Sequence, residues 1–500
     1  MRSRKALYNI ITSLLLEIIQ IISGLIIPRL IIGTYGSNVN GLVSSITQFL
    51  GYIILLEAGV GGVVRAALYR PLAKKNYEQI SRIIKAAENF FKIIGLSFLG
   101  YLVLLVFLFP FIIDGFDRAF TSSLVLIIGI STFFQYYFSI TYQILLQADQ
   151  KQYVTTIIII ITTIINTFMV VILINLGFGI HIVKLGSTII FIIRPILLNI
   201  YVKHKYKINS KVLPDKTAIN QRWDGLGHHI AYLLHNNTDI TLLTLFTNTK
   251  EVSVYSVYYM IVSNIKKIII IFSTGLEASF GNMIAQGEKE AINRNFNMIE
   301  FLIFSLSTIL FTSTATLILP FISIYTNGIT DTNYYRPLFA YFLILAEAIY
   351  CIRIPYNALV LAAGHYRQTR NGAFAEALIN ILLSLILVIF LGLEGVVIGT
   401  VVAMLFRTIQ YAFYLSKNIL KRNIYEFIRK VIIYLFTAVV IILINNMINV
   451  GVDSYINWII LSIIVTLNAF VITTIVGFIF FSNDIKNIVL LIKRMVKRNI

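Results

Sequence analysis

Long apolar runs separated by short polar segments dominate this chain. About fourteen runs are long enough to cross a hydrocarbon layer of ~30 Å as helices. They fall at 8–33, 42–64, 87–113, 120–146, 152–176, 179–202, 227–248, 252–276, 297–325, 335–362, 370–391, 394–416, 427–447 and 456–480. Glycines and prolines inside several of them are tolerable in membrane helices. The pattern predicts an all-α, polytopic membrane protein with about 14 transmembrane helices.

The polar segments alternate in charge. The N-terminus carries Arg2, Arg4 and Lys5, and the segment after the second run carries Arg65, Arg70, Lys74, Lys75, Arg82 and Lys85. Lysines and arginines recur after the sixth run, after the twelfth and in the C-terminal tail. The intervening segments are nearly free of them: 34–41 and 445–455 have none, and 114–119 has only Arg118. Basic segments stay in the cytoplasm, so both termini are expected there. The first run follows three basic residues and is too long for a signal-peptide core, which makes it a retained helix.

The chain also repeats itself. Gly59, followed by Ile80 and Arg82, is echoed by Gly275, followed by Ile292 and Arg294. Pro110-Phe111-Ile112 and Pro320-Phe321-Ile322 each end an apolar run; Lys151-Gln152 corresponds to Arg367-Gln368. Gly186-Ser187 with Arg194 corresponds to Gly399-Thr400 with Arg407. The offsets lie near 213, which argues for an internal duplication. The expected organisation is a six-helix lobe over 1–210, a pseudo-symmetric second lobe over 211–420 around a central cavity, and two further helices with a tail over 421–500.

Composition changes the picture little. Of 500 residues, 58% are hydrophobic, and the mean hydropathy is +0.84; a soluble fold cannot bury that much apolar surface. A net charge of +19 would suggest nucleic acid in a soluble protein, but here the charge sits between membrane runs, so no nucleic-acid partner is expected. The single cysteine, Cys351, excludes an internal disulfide. There is no P-loop, no His/Cys cluster with metal spacing and no room for a soluble catalytic domain, so neither ATP, a metal nor an enzymatic activity is expected.

Ionisable residues at membrane depth are costly and mark cavities, pathways or partners. In the first half these are Glu17, Arg29, Glu57 and Arg194, with Arg65 at the end of the second run. In the second half they are Asp239, Lys266, Lys267, Glu347, Arg353, Glu376 and Arg407. Interhelical salt bridges that only hold the bundle together are the alternative for any one of them. Spacing adds polar stripes: His228, Tyr232, His235 and Asp239; Gln135, Ser139, Tyr142 and Gln143; Glu347, Tyr350 and Asn357, beside Arg353; and Glu376, Asn380 and Ser384. Such stripes suit a water-filled cavity, or serve as polar glue between helices.

The segments IPRLIIGTYGSNVNGLVSSI (27–46), LLEAGVGGVVRAALYRPLAKKN (55–76), NNTDITLLTLF (236–246) and VSVYSVYYMI (252–261), with the two Pro-Phe-Ile helix ends, resemble the Wzx-like flippases. These are the polysaccharide-transport family of the multidrug/oligosaccharidyl-lipid/polysaccharide exporter superfamily. The resemblance implies a bacterial cytoplasmic-membrane protein that moves an undecaprenyl-diphosphate-linked oligosaccharide to the outer leaflet by alternating access. It implies basic residues for the diphosphate, with Arg29 and Arg65 matching best and Arg194, Lys266, Lys267, Arg353 and Arg407 as further candidates. It implies carboxylates for H+ or Na+ coupling, with Asp239 first and Glu17, Glu57, Glu347 and Glu376 after it. No organic cofactor is implied. The expected partners are the polyprenyl-diphosphate-linked oligosaccharide, membrane lipid, and a polysaccharide polymerase and glycosyltransferases, with the chain itself a monomer. A multidrug exporter of the same fold is the alternative; it would need a more apolar, aromatic cavity and would not need several arginines.

Overall fold

A computed structural model describes residues 2–57, 60–209, 211–215, 217, 238–273, 275–448 and 451–498. Among the described residues the chain is helical, without strands. It divides into two compact units, Met1–Ser256 and Val257–Ile500.

In unit 1 the helices are α1 (Arg2–Tyr35), α2 (Ser37–Gly51), α3 (Ile54–Glu57), α4 (Val60–Lys74), α5 (Tyr77–Ile112), α6 (Arg118–Phe138), α7 (Ile140–Ala148), α8 (Gln152–Asn175) and α9 (Ile180–Lys205). A further helix, α10, is described over 238–246. α11 (Thr249–Ser273) runs on into unit 2. α1 packs on α8, α8 on α9, α9 on α6, and α6 on α5. Local signals set several starts. Asn76 caps α5 by accepting from the Gln79 amide at 3.0 Å. The Asp117 carboxylate caps α6, accepting from Ala119 and Phe120 at 3.0 and 3.2 Å.

Unit 2 continues with α12 (Leu276–Ala285), α13 (Lys289–Tyr325), α14 (Pro337–Ala362), α15 (Tyr366–Leu391), α16 (Leu393–Leu415, extended by a π turn over Ser416–Leu420), α17 (Tyr425–Asn446), α18 (Tyr455–Phe480) and α19 (Ser482–Arg498). α15 and α16 approach closely. A Cβ at Gly395 would stand 2.2 Å from the Leu387 carbonyl oxygen, and one at Gly399 2.3 Å from Ser384 Oγ. Small residues four apart let two membrane helices touch backbone to backbone. α17 and α18 both pack on α13, where Trp458 Nε1 donates to the Leu317 carbonyl at 3.1 Å.

Twelve described helices are long and apolar enough to cross a membrane, and the chain is a multi-pass membrane protein. Large apolar side chains face outward along them, Phe168 at 66% and Phe390 at 77% exposure among many. In lipid this is burial by another route, since the solvent there is hydrocarbon.

Two of the fourteen expected spans are missing from that count. The first half of the run 227–248, residues 227–237, lies outside the described residues, and with it His228, Tyr232 and His235. The run 42–64 does not form one helix: α2 ends at Gly51 and α3 starts at Ile54, while 58 and 59, between α3 and α4, lie outside the described residues. Tertiary contacts outweigh its hydropathy. α2 is pinned against the 238–256 segment by Asn40 Nδ2 donating to Ser253 Oγ (2.8 Å), Ser45 on Thr244 (2.8 Å) and Tyr52 on Thr241 (2.6 Å). The Cα of Gly41 sits so near Thr249 that a Cβ would fall 1.6 Å from that carbonyl oxygen. Gly51, the last residue of α2, makes the break there inexpensive. The run 120–146 likewise bends, at Ser139, into α6 and α7.

Candidate polar cavity

Unit 1 holds a cavity of about 470 Å³ with polar lining from α6, α8 and α9, Ser131, Gln135, Asn166, Lys184 and Thr188 among it, and apolar lining that includes Ile27 of α1, Leu50 of α2, Ile54 of α3 and Phe191 of α9. A smaller one, of about 100 Å³, continues from Gln135 past Ser139, Gln143 and Thr155 to Arg194. The two share Ser131, Gln135 and Phe191 as walls. Ser131, Gln135, Ser139 and Gln143 recur every four residues through α6, the bend at Ser139 and α7, and together supply a hydroxyl and amide wall. Most of the stripe read in the sequence is therefore in the cavity. Its fourth member is not: Tyr142 turns away and donates to Glu88 at 2.9 Å.

Two cations line these cavities. Arg194 Nε donates to Thr162 Oγ1 at 2.7 Å and its Nη2 to Thr163 Oγ1 at 3.1 Å. The guanidinium stands 4.2 Å over the Phe191 ring. These partners orient it and supply no negative charge. Lys184, one turn into α9, makes no hydrogen bond or ion pair among the described residues. The sequence reading did not single it out. Its signal was the spacing to Ser187, Thr188 and Phe191, at i+3, i+4 and i+7, which places it on the polar stripe of α9. Two polar atoms here are also buried without a partner among the described residues: Thr155 Oγ1 and Asn166 Oδ1, the asparagine being 5% exposed. Unpaired buried polar groups are rare and need an explanation.

The other candidates of unit 1 are spread around it. Arg65 on α4 donates to the Gln147 amide oxygen of α7 at 3.1 Å. Arg29 on α1 is half-buried and lies along its own helix, near Gly33. Glu17 is half-buried on the same helix. Glu57 accepts from Tyr136 at 3.3 Å. Asp239 is 7% exposed and accepts from Tyr255 at 2.9 Å.

Unit 2 treats its charges differently. Lys266 pairs with Glu347 at 2.8 Å. Arg353 pairs with Glu376, whose second oxygen lies 3.5 Å from Arg407 Nε. Arg407 also donates to the Thr369 carbonyl and to Tyr411. Five sequence candidates are thus one another's partners, within helix pairs α11–α14 and α14–α15–α16. Lys267 donates to Asn264 at 3.2 Å. A third cluster was missed in the sequence: fully buried Glu300 accepts from Arg422 (2.7 and 3.0 Å), from Lys430 (2.5 Å) and from Tyr356. The α15 stripe also works as glue here. Asn380 donates to Thr400 and Ser384 to the Val396 carbonyl, both at 2.9 Å.

No family model and no curated relative matches the sequence. Solved structures do match. The chain is similar to the lipid II flippase MurJ in an inward closed conformation, with a TM-score of 0.69 and 17% identity over 96% of this chain and all of that one. It is similar to an inward-facing multidrug-resistance MATE transporter of the MOP superfamily, with a TM-score of 0.61 and 12% identity over 80% of this chain and 95% of that one. It is also similar to a MOP-superfamily transporter from Pyrococcus furiosus described by the reversed polarity of its binding pocket (TM-score 0.54, 14% identity, 82% of this chain and 96% of that one). The chain therefore has the fold shared by the MurJ flippase and the MATE exporters of the MOP superfamily.

Proposed function

We propose that this protein is a flippase that carries a polyprenyl-diphosphate-linked oligosaccharide, of the undecaprenyl type, across the bacterial cytoplasmic membrane for surface polysaccharide assembly. It works by alternating access, with both termini in the cytoplasm, and performs no covalent chemistry. The observation that carries this reading is the set of cations without a carboxylate partner in unit 1, Arg65, Lys184 and Arg194, amid amide and hydroxyl side chains. Sugar hydroxyls are costly in hydrocarbon unless each finds a polar partner. A diphosphate needs cations, and arginine offers a two-pronged donor for it. The lipid tail can remain in the bilayer throughout. The likeness to MurJ over nearly the whole chain supports a lipid-linked cargo.

Arg29 and Arg65 are the residues proposed to hold the diphosphate. Asp239, hydrogen-bonded by Tyr255, is the carboxylate proposed to couple transport to H+ or Na+. Multidrug export is the second reading, favoured by the MATE likeness. A cavity whose charges are lysine and arginine is poorly suited to the cationic aromatic compounds that such a pocket would repel.

The test is substitution in a cell that makes the polysaccharide. Arg29→Ala and Arg65→Ala are expected to abolish surface polysaccharide with the protein still in the membrane, and lysine at either position to restore it only in part. Full export by the double alanine variant at normal protein level rules the site out. Asp239→Asn is expected to lose the dependence of transport on pH or Na+.

A further inference from the structure

The 470 Å³ cavity of unit 1 is large enough for a small organic ligand. It contains a lysine with no described partner and a buried asparagine oxygen with none. Around them stand Gln135, Ser131, Ser187 and Thr188. The rest of the lining is largely apolar, from Ile27, Leu50, Ile53, Ile54 and Ile128, with Phe191 as an aromatic face. That inventory is specific. One ammonium suits a carboxylate or phosphate group. Amide and hydroxyl side chains suit the alternating donors and acceptors of a sugar ring. An aromatic face suits the apolar side of a pyranose. A drug-sized cation would be repelled, and an uncharged sugar would leave the ammonium unneutralised.

We propose that this cavity is a binding site for an acidic sugar residue, with its oxyanion on Lys184 and its ring hydroxyls on Asn166 and Gln135. The inference rests on the flippase reading and narrows it: the oligosaccharide carries at least one residue of the uronic-acid kind. Arg194 lies ten residues further along α9, about 15 Å at 1.5 Å per residue. It is too far to share one carboxylate with Lys184, so it adds positive potential at the narrow end and holds no part of the same group. The competing account of Lys184 is a side chain that reaches out of the bilayer near a helix end. A merely reaching lysine leaves Asn166 unexplained and predicts no ligand.

The experiment is thermal unfolding of the purified full chain in detergent, with sodium glucuronate, glucose, sodium phosphate and sodium chloride as probes at matched ionic strength. Glucuronate is expected to raise the melting temperature by about 2 °C or more through binding to the folded state, and the other three to leave it unchanged. Lys184→Gln is expected to remove the glucuronate shift, and Lys184→Arg to keep most of it. Asn166→Ala is expected to weaken it. The proposal is overturned if glucuronate gives no shift in the unsubstituted protein, or if Lys184→Gln keeps the shift. It is also overturned if phosphate or chloride shifts the protein as much as glucuronate, which makes the cavity a free-anion site. The readout requires no transport. No glucuronate shift in the unsubstituted protein, with export abolished by Arg29→Ala and Arg65→Ala, sinks the inference alone; a glucuronate shift with export unaffected by the Arg29 and Arg65 variants sinks the diphosphate assignment alone.

Discussion

Arg194 of α9 and Arg407 of α16 occupy matching places in the two halves of the sequence, 213 residues apart. Each reaches back to the helix before its own. Arg194 finds Thr163, at 3.1 Å; Arg407 finds Glu376, at 3.5 Å. Thr163 and Glu376 stand in the same register, again 213 apart. The chain has kept the arginine and changed the acceptor. In unit 2 the result is a sealed ion cluster with Arg353, and in unit 1 it is a cation whose charge no described side chain neutralises. Lys184 extends the contrast, because its counterpart in that register is Val397, fully buried. Buried pairs seldom add much net stability, yet breaking one is expensive, whereas an unpaired cation beside a polar cavity is a site looking for an anion. Unit 2 thus pairs Lys266, Arg353 and Arg407 with carboxylates, whereas Lys184 and Arg194 of unit 1 meet none among the described residues.

The strongest way to break this comparison is to swap the acceptors. Glu376→Thr gives unit 2 the acceptor of unit 1 and leaves Arg353 and Arg407 buried without a carboxylate. The expected loss is about 3–5 kcal/mol, seen as a large drop in melting temperature and in membrane level. An unchanged melting temperature would mean that the cluster is not structural. The reciprocal change, Thr163→Glu, gives Arg194 a carboxylate. Stability is expected to hold within about 1 kcal/mol, because the new carboxylate is met by the Arg194 guanidinium that Thr163 already contacts. Polysaccharide export is expected to fall at least about tenfold, the equivalent of roughly 1.4 kcal/mol in the affinity of a cation site. Normal export from Thr163→Glu shows that Arg194 meets no anion.

A smaller effect separates how the two helix pairs are packed. Gly399→Ala drives a methyl group to 2.6 Å from the Ser384 backbone nitrogen, which cannot move aside. Its counterpart Gly186→Ala meets side-chain ends, the tip of Met169 at 2.7 Å and Leu173 Cδ1 at 3.3 Å, and methionine yields readily. The first is expected to cost about 1–3 kcal/mol and the second well under that, both by thermal unfolding in detergent. Equal costs would remove the packing difference between α8–α9 and α15–α16.

Much of this was legible in the sequence, and the failures have physical causes. Apolar run lengths located most of the membrane helices because a backbone in hydrocarbon has few alternatives to a helix. The same rule misjudged 42–64, where α2 ends at Gly51 and hydrogen bonds from Asn40, Ser45 and Tyr52 to distant residues hold it in place. The stripe Gln135, Ser139, Gln143 was readable because i+4 spacing is local. Which carboxylate meets which cation was not, because Lys266 and Glu347 are 81 residues apart and only packing joins them. Glu300 escaped notice for that reason: its partners Arg422 and Lys430 lie on later segments that the charge pattern had assigned to the cytoplasmic loop. Lys184 escaped because a single lysine early in an apolar run reads as an interfacial residue until its neighbours in space are known.

The mildest test concerns a carboxylate of unit 1 that is paired with lysines. Asp149 lies in the turn between α7 and α8, outside the spans. Lys151 Nζ is 2.6 Å from one of its oxygens, Lys5 Nζ is 3.2 Å from the other, and the Tyr206 hydroxyl donates to it at 2.5 Å. Partial burial pushes the Asp149 carboxyl upward, but the hydrogen bonds from Lys151 and Tyr206, the Lys151 charge and the Lys5 contact outweigh it and hold the group below its usual 3.8. Tyr206, raised by burial and by that same carboxylate, stays protonated and keeps donating. A carboxyl lowered in the folded state contributes stability that is fully present above its unfolded value. The contribution is lost as pH falls through the folded value, because the folded protein then takes up a proton that the unfolded chain already holds. The pair is partly solvated, so the amount is about 1 kcal/mol. Between about pH 5 and pH 3 the unsubstituted protein should lose melting temperature more steeply than Asp149→Asn, which has no charge there to lose. At neutral pH Asp149→Asn should be slightly less stable and should export polysaccharide normally, since this pair joins α1 to the α7–α8 turn and touches neither cavity. Identical acid slopes for the two proteins would show that Asp149 is not held ionised by its neighbours. A loss of export from Asp149→Asn would extend the functional region of unit 1 beyond its unpaired cations.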